Sequence, residues 1–318
     1  MWSVFLVVFS APISAQSVST NQNPPTPLGK LVDVGGYRVH LYCTGVGSPT
    51  VVIVGAGYSF DWGLVQSEVA KFTQVCSYDH SGIGWSDDGP KDSCALRANE
   101  VHTALKNAGI EGPYVLVGHS LGGLVARVYA GKHPEETAGI VFVDHALTNL
   151  HAFILSGVVP DSGGKMHPPG GPESAPPAVP TAPPPPLLSK PGVSIGMQDD
   201  PNFSRLSSQD RDLHLWFMAK PRDQQALQAN HEIVPQCSAD ADAILEKHSH
   251  PLGDKPLVDV DTPMSAGAEL QKTLLSISTN SKQMVADKSD HFVMIDRPDV
   301  VIDAISQVVR SARNKTPL

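Results

Sequence analysis

Short runs in which nearly every residue is apolar alternate along the chain with longer stretches whose apolar residues recur every three or four positions. The first are signatures of buried strands, the second of one-faced helices. Leu31 to Val34 and Tyr37 to Cys43 flank Gly35-Gly36, a hairpin signal, and the second run alternates as a half-buried strand should. Thr50 to Val54 is continuously apolar or β-branched and ends at Gly55-Ala56-Gly57, which predicts a fully buried strand entering a glycine-rich turn. Asp61, Trp62, Val65, Val69 and Phe72 follow with helical period, then a strand over Gln74 to Tyr78 and a helix marked by Leu96, Val101, Ala104, Leu105 and Ala108, stopped by Gly109. Tyr114 to Val117 and Gly139 to Val143 are further buried strands with a helical stretch between them. After a long interruption the alternation resumes with a strand over Pro256 to Val260, a helix over Ala268 to Leu275, a strand over Gln283 to Ala286 and a closing helix. Pro298 starts that helix, and Val300, Val301, Ala304, Ile305, Val308 and Val309 form its apolar face. A hairpin followed by repeated strand-helix units predicts an α/β fold with a mostly parallel sheet covered on both faces. Ligands in such sheets bind outside the carboxyl ends of the strands.

The interruption, 145–251, reads as an insertion between strands. Its first part, Val158 to Pro201, is dense in proline, with Pro183-Pro184-Pro185-Pro186 near its centre, so it offers few backbone donors and is expected to be extended or disordered. Asp210 to Lys220 and Asp223 to Ile233 return to helical composition. Trp216, Phe217 and Met218 there either line an acyl pocket or, the favoured reading, pack that helix onto the core. At the other end of the chain, the apolar run Trp2 to Phe9 and the small-residue pattern Ile13-Ser14-Ala15 read as a signal peptide over 1–15, although no Lys or Arg precedes Lys30. The run is too short for a stable membrane span. A polar, proline-bearing linker, 16–27, then leads into one catalytic domain over 28–318.

Charge narrows the partners. The net charge is −9 with 17% charged residues and no long basic run, so nothing points to nucleic acid. Four cysteines, Cys43, Cys76, Cys94 and Cys237, suit an exported protein with two bridges of undetermined pairing, although Cys76 inside a strand also reads as a plain buried thiol. No C-x-x-C occurs. His248-Ser249-His250 lacks a partner at ligand spacing, so no metal or cofactor is expected.

The candidate chemistry sits where Tyr114-Val115-Leu116-Val117 breaks into Gly118-His119-Ser120-Leu121-Gly122-Gly123. A G-x-S-x-G motif between a buried strand and a helix holds its serine on a tight, strained turn, and glycines at 118 and 122 let strand and helix pass close together. Ser120 is thereby presented at the strand's carboxyl end, and the Leu121 backbone N–H at the helix start points where an oxyanion forms. A serine hydroxyl needs a base and a group to orient that base. Among thirteen histidines, His291 in Lys288-Ser289-Asp290-His291-Phe292-Val293 stands out, because its loop follows the last strand and reaches across the strand ends.

Three stretches together resemble the α/β-hydrolase fold serine hydrolases, esterase- and lipase-like: Tyr78-Asp79-His80-Ser81-Gly82-Ile83-Gly84-Trp85-Ser86-Asp87, Gly118-His119-Ser120-Leu121-Gly122-Gly123, and Ser289-Asp290-His291-Phe292 with Arg297-Pro298 after it. The resemblance implies Ser120 as nucleophile, His291 as general base and a structural part for His119. For the acid it implies Asp144, which ends the strand after the nucleophile helix, in preference to Asp261 on the later strand. Asp259 lies beside Asp261 on that strand. For the second oxyanion donor it implies the backbone N–H of Ala56, in a turn where relatives often carry His-Gly. A serine disfavours the aspartate-nucleophile chemistry of epoxide and haloalkane hydrolysis. The function expected is a secreted serine hydrolase acting on a small-molecule carboxylic ester or related acyl bond. Peptidase, thioesterase or acyltransferase chemistry uses the same residues, and a non-catalytic binding module on the same scaffold is the alternative from another class.

Overall fold

The computed structural model describes residues 23–145, 196–245, 250–265 and 274–318. The expected signal peptide, most of the linker, the proline tract up to 195, His248-Ser249 and most of the helix expected over Ala268 to Leu275 lie outside the described residues.

Eight strands among the described residues form one sheet: β1 (Lys30–Asp33), β2 (Arg38–Thr44), β3 (Thr50–Val54), β4 (Val75–Asp79), β5 (Tyr114–His119), β6 (Thr137–Val143), β7 (Leu257–Asp261) and β8 (Ser281–Val285). Their spatial order is β1-β2-β4-β3-β5-β6-β7-β8. The opening hairpin pairs antiparallel, as does β2 with β4, and every later pair is parallel. This is the α/β-hydrolase architecture that the strand-helix alternation and the resemblance predict.

Strand alternation divides the core into two layers. Val52 and Val54 of β3, with Leu116 and Phe142, face α2 (Cys94–Asn107) and α3 (Leu121–Lys132). Val51 and Ile53, with Val117 and Val143, face α1 (Gly63–Val69) and the closing helix Pro298–Asn314. In that closing helix Val301, Ala304, Ile305, Val308 and Val309 are fully buried, which is the predicted apolar face. Because both faces are covered, β3 and β5 are apolar at almost every position rather than at alternate ones.

Two differences from the sequence reading have physical causes. Within the proline-dense stretch expected to be extended or disordered up to Pro201, the described residues from 196 are ordered, with a 3-10 turn over Met197–Asp199 and Met197 buried. The second insertion helix runs over Pro221–Leu245 and does not stop at Ile233. Pro235 removes one intrahelical hydrogen bond there, yet Val234, Cys237 and Ala241 are buried, and that burial carries the helix past the proline. We number Ser208–Met218 α4, Pro221–Leu245 α5, Val293–Asp296 α6 and Pro298–Asn314 α7. Cys43 bonds Cys76, its register partner across β2 and β4, and Cys94 bonds Cys237, tying α2 to α5. Cys76 is therefore not a plain buried thiol.

Candidate active site

The turn after β5 is as tight as its glycines suggest. A Cβ on Gly118 would stand 2.6 Å from Gly123 Cα, and one on Gly122 only 1.8 Å from the Val54 carbonyl oxygen, so no larger residue fits at either place. Between them Ser120 is held at φ 52° and ψ −128°, a backbone state costing about 1–3 kcal/mol that tertiary packing must sustain. Only 9% of Ser120 is exposed, and that part opens into a cavity of about 240 Å³. Leu121 begins α3, and both Leu121 and Ala56 line the same cavity.

Asp144 follows the last residue of β6 and adopts φ 35°, which turns it out of the strand register. Its N–H donates to the Val260 carbonyl at 2.8 Å, fixing the turn between two strand ends. From there its carboxylate meets His291: the Nδ1–H donates to Asp144 Oδ2 at 2.6 Å. The other carboxylate oxygen accepts from Ser265 Oγ at 2.7 Å. Burial alone would push this carboxyl up, but the His291 contact and the Ser265 hydroxyl outweigh it and hold the group down at about 2. Asp144 is thus a fixed negative charge at neutral pH. With Nδ1–H donating to that charge, the lone pair of the neutral ring lies on Nε2.

Neighbours of both partners steady the histidine loop. The His119 Nε2–H donates to the His291 carbonyl at 2.9 Å, which agrees with a structural part for His119. Asp296 of α6 accepts from the Asp290 N–H at 2.7 Å and from Asn202 Nδ2 at 2.9 Å, linking the loop to the insertion. Sequence reasoning missed Ser265, Asp296 and Asn202. No motif flags them, since each is a common polar residue; Ser265 and Asn202 meet partners far along the chain, and Asp296 bonds a backbone N–H six residues away as many loop carboxylates do.

Asp261 goes elsewhere. It accepts from Gln283 Nε2 at 2.6 Å and lies beside Asp259, and burial together with that second carboxylate pushes it up to about 6. Of the two candidate acids, the structure brings Asp144 to His291.

The cavity wall is mainly apolar, formed by Trp62, Met197, Met218, Leu227, Val234 and Met294. Polar side chains interrupt it, among them His214, which is buried, and His231, which is exposed. His214 Nδ1 lies 2.7 Å from Asp61 Oδ1, and His231, whose pKa partial desolvation and the nearby His291 both lower, stands close to the base. The aromatic cluster on α4 divides between its two readings: Met218 lines the cavity, whereas Phe217 packs against Tyr58, Phe60 and Trp85. Among the described residues, His102, His133 and Glu136 are grouped closely enough to share a metal. The two imidazole rings lie 3° from parallel with centroids 4.0 Å apart, so their in-plane lone pairs do not converge on one point.

Residues 50–304 match the alpha/beta hydrolase family, and the chain belongs to that family. Among curated proteins, it is 42% identical over 89 residues to an uncharacterized protein of Schizosaccharomyces pombe, covering 28% of this chain and 16% of that one. It is 34% identical over 132 residues to a 2-hydroxymuconate semialdehyde hydrolase of Pseudomonas sp. (strain CF600), covering 39% and 46%. In both matches the aligned part is less than half of the relative. Among solved structures, it resembles Cfl2 from Burkholderia cenocepacia with a TM-score of 0.64 at 16% identity, over 88% of this chain and 95% of that one, a likeness of fold.

Proposed function

We propose that this hydrolase cleaves a small-molecule carboxylic ester, or a related acyl bond, through an acyl-enzyme on Ser120. The observation that supports it most is the 2.6 Å contact between Asp144 and His291 at the cavity onto which Ser120 opens. Ser120 Oγ attacks the acyl carbon while its proton passes to His291 Nε2, and Asp144 stabilises the imidazolium that results. The tetrahedral oxyanion is met by the backbone N–H groups of Leu121 and Ala56. As the C–O bond breaks, His291 returns the proton to the leaving alcohol. A water molecule, deprotonated in the same way, then attacks the acyl-enzyme and frees the acid and Ser120.

The apolar wall and the cavity's volume favour a short, uncharged acyl group. The two disulfides, together with the apolar N-terminal run, favour an exported protein. Labelling with a fluorophosphonate, then turnover of p-nitrophenyl esters of rising chain length, tests the reading. Ser120→Ala is expected to lose both labelling and turnover with an unchanged fold, since alanine fits the same backbone. His291→Ala is expected to lose turnover about as fully, and the double variant to be no slower than either single one. Labelling that persists in Ser120→Ala overturns the assignment. A wild-type chain that folds yet neither labels nor turns over any ester points to the binding-module alternative.

A further inference from the structure

The loop that would supply the second oxyanion donor is held by the insertion as well as by the sheet. On α5, Asn230 is 91% buried, and its Nδ2 donates to the carbonyl oxygen of Ala56 at 2.8 Å. The other side of the amide is also fixed. Its Oδ1 accepts from Arg97 Nη2 on α2 at 2.7 Å. A guanidinium only donates, so Arg97 settles which way round the amide lies: oxygen toward Arg97, nitrogen toward Ala56. Arg97 is 1% exposed and is itself anchored by Asp92, whose Oδ1 accepts from Nε at 2.9 Å and whose Oδ2 accepts from Nη2. The same two helices are joined covalently at Cys94 and Cys237. Cys94 lies one helical turn before Arg97, and Cys237 about 10 Å along α5 from Asn230. Two ties at separate points leave α5 little freedom to slide or roll over α2.

We infer that Asn230 is a positioning residue for acyl transfer, oriented by the buried Arg97 and acting through the Ala56 carbonyl on the oxyanion loop. The inference rests on the Ser120 reading above. A peptide unit is planar, so holding the Ala56 carbonyl fixes the plane of the Ala56–Gly57 unit and with it the ψ rotation at Ala56. Gly55 and Gly57 flank Ala56, and glycines leave such a loop free to rotate unless something outside it holds it. The Asn230 amide supplies that hold. It holds the Ala56 carbonyl in place, and by fixing the plane on one side of the Ala56 Cα it limits how far the Gly55–Ala56 unit, which carries the Ala56 N–H, can turn away from the oxyanion. This is preorganisation of a transition-state contact, so its loss falls on kcat more than on substrate binding.

Two substitutions test this. Asn230→Leu removes the donor at similar volume. Asn230→Asp keeps an acceptor for Arg97 but sets a carboxylate oxygen against the Ala56 carbonyl. In both, kcat for a p-nitrophenyl ester and the rate of fluorophosphonate labelling are expected to fall about 10- to 100-fold, less than for loss of a whole oxyanion donor, with KM within about twofold. A boronic acid, which becomes tetrahedral on Ser120, should lose affinity by the same factor, whereas the product acid should not. Arg97→Lys in the Asn230→Leu background should cost no further kcat, since the two act through one contact. Unchanged kcat in both Asn230 variants, or a loss confined to KM, overturns the inference while leaving the Ser120 reading in place. A folded wild-type chain that never labels overturns both.

Discussion

Two neighbouring strands end in aspartates, and the two carboxylates could hardly be held more differently. Asp144 directly follows β6 and Asp261 is the last residue of β7, and in the parallel ladder Val143 pairs with Val260, one residue before Asp261. Asp144 takes a left-handed turn out of the sheet and finds two close donors, His291 and Ser265, with Thr262 Oγ1 farther off at 3.3 Å. Asp261 stays in register, shares a face with Asp259 two residues before it, and has Gln283 as its close donor. One carboxyl is therefore held down at about 2 and the other pushed up to about 6. Residue type and strand end are the same, so what separates a charge that can serve chemistry from one the fold resists is the turn after the strand and the donors it reaches.

The strongest way to break this comparison is to neutralise the acid that meets the base. Asp144→Asn keeps shape and a hydrogen-bonding group but removes the charge that stabilises an imidazolium. A fall of about 10⁴ in kcat is expected. Ser120 and the oxyanion donors remain, so the loss should stop short of that in Ser120→Ala, with melting temperature within a few degrees of wild type. Near-normal turnover in Asp144→Asn would mean that the 2.6 Å contact does not orient the base during catalysis.

How much of this was legible beforehand follows the same divide between local and distant causes. Ser120 could be read because a strand, two glycines and a helix sit within a dozen residues and together leave one geometry. The sheet was legible because strands covered on both faces must be apolar throughout. The acid was only a preference, since choosing between Asp144 and Asp261 needs a turn's dihedral and a distance across 147 positions of sequence. Cysteine pairing was hidden for the same reason: Cys94 and Cys237 are 143 residues apart. The extent of α5 beyond Ile233 is not legible in the sequence, because burial of Val234, Cys237 and Ala241 carries the helix past Pro235.

A milder perturbation sharpens the comparison from the donor side. Ser265→Ala leaves the Asp144 carboxylate with the weaker Thr262 Oγ1 contact at 3.3 Å in place of the 2.7 Å bond from Ser265. A charge-assisted hydrogen bond of this kind contributes about 1.5–3 kcal/mol. Part of it is recovered by water or Thr262, so kcat should fall about 3- to 10-fold. Ser265→Thr, which keeps the hydroxyl, should recover most of it. A fall in Ser265→Ala as large as that in Asp144→Asn would show that the serine does more than support the acid.

The smallest effect on turnover, and an opposite effect on stability, is expected at Asp261. Its carboxyl binds a proton more tightly in the folded chain than in the unfolded one, because it is buried and Asp259 lies beside it. The sign follows from linkage. Below pH about 4 the group is protonated in both states and costs nothing. Between about 4 and 6 the unfolded chain releases the proton first, so stability falls as pH rises, and above about 6 the penalty is complete. Asparagine resembles the protonated acid: its carbonyl still accepts from Gln283 Nε2, and it carries no charge against Asp259. Asp261→Asn should therefore raise the melting temperature at pH 8 by about 2–6 °C, allowing for partial solvation of the ionised form, and the difference should vanish at pH 4. Turnover should stay within about twofold of wild type, because Asp261 reaches that machinery only through a long 3.5 Å contact with Ser265 Oγ, whose close partner is Asp144 at 2.7 Å. Thermal melts of both proteins from pH 4 to 8, with kcat measured beside them, decide it. A pH-independent change in melting temperature removes the electrostatic account of Asp261, and a loss of turnover comparable with that of Asp144→Asn moves the acid to the later strand.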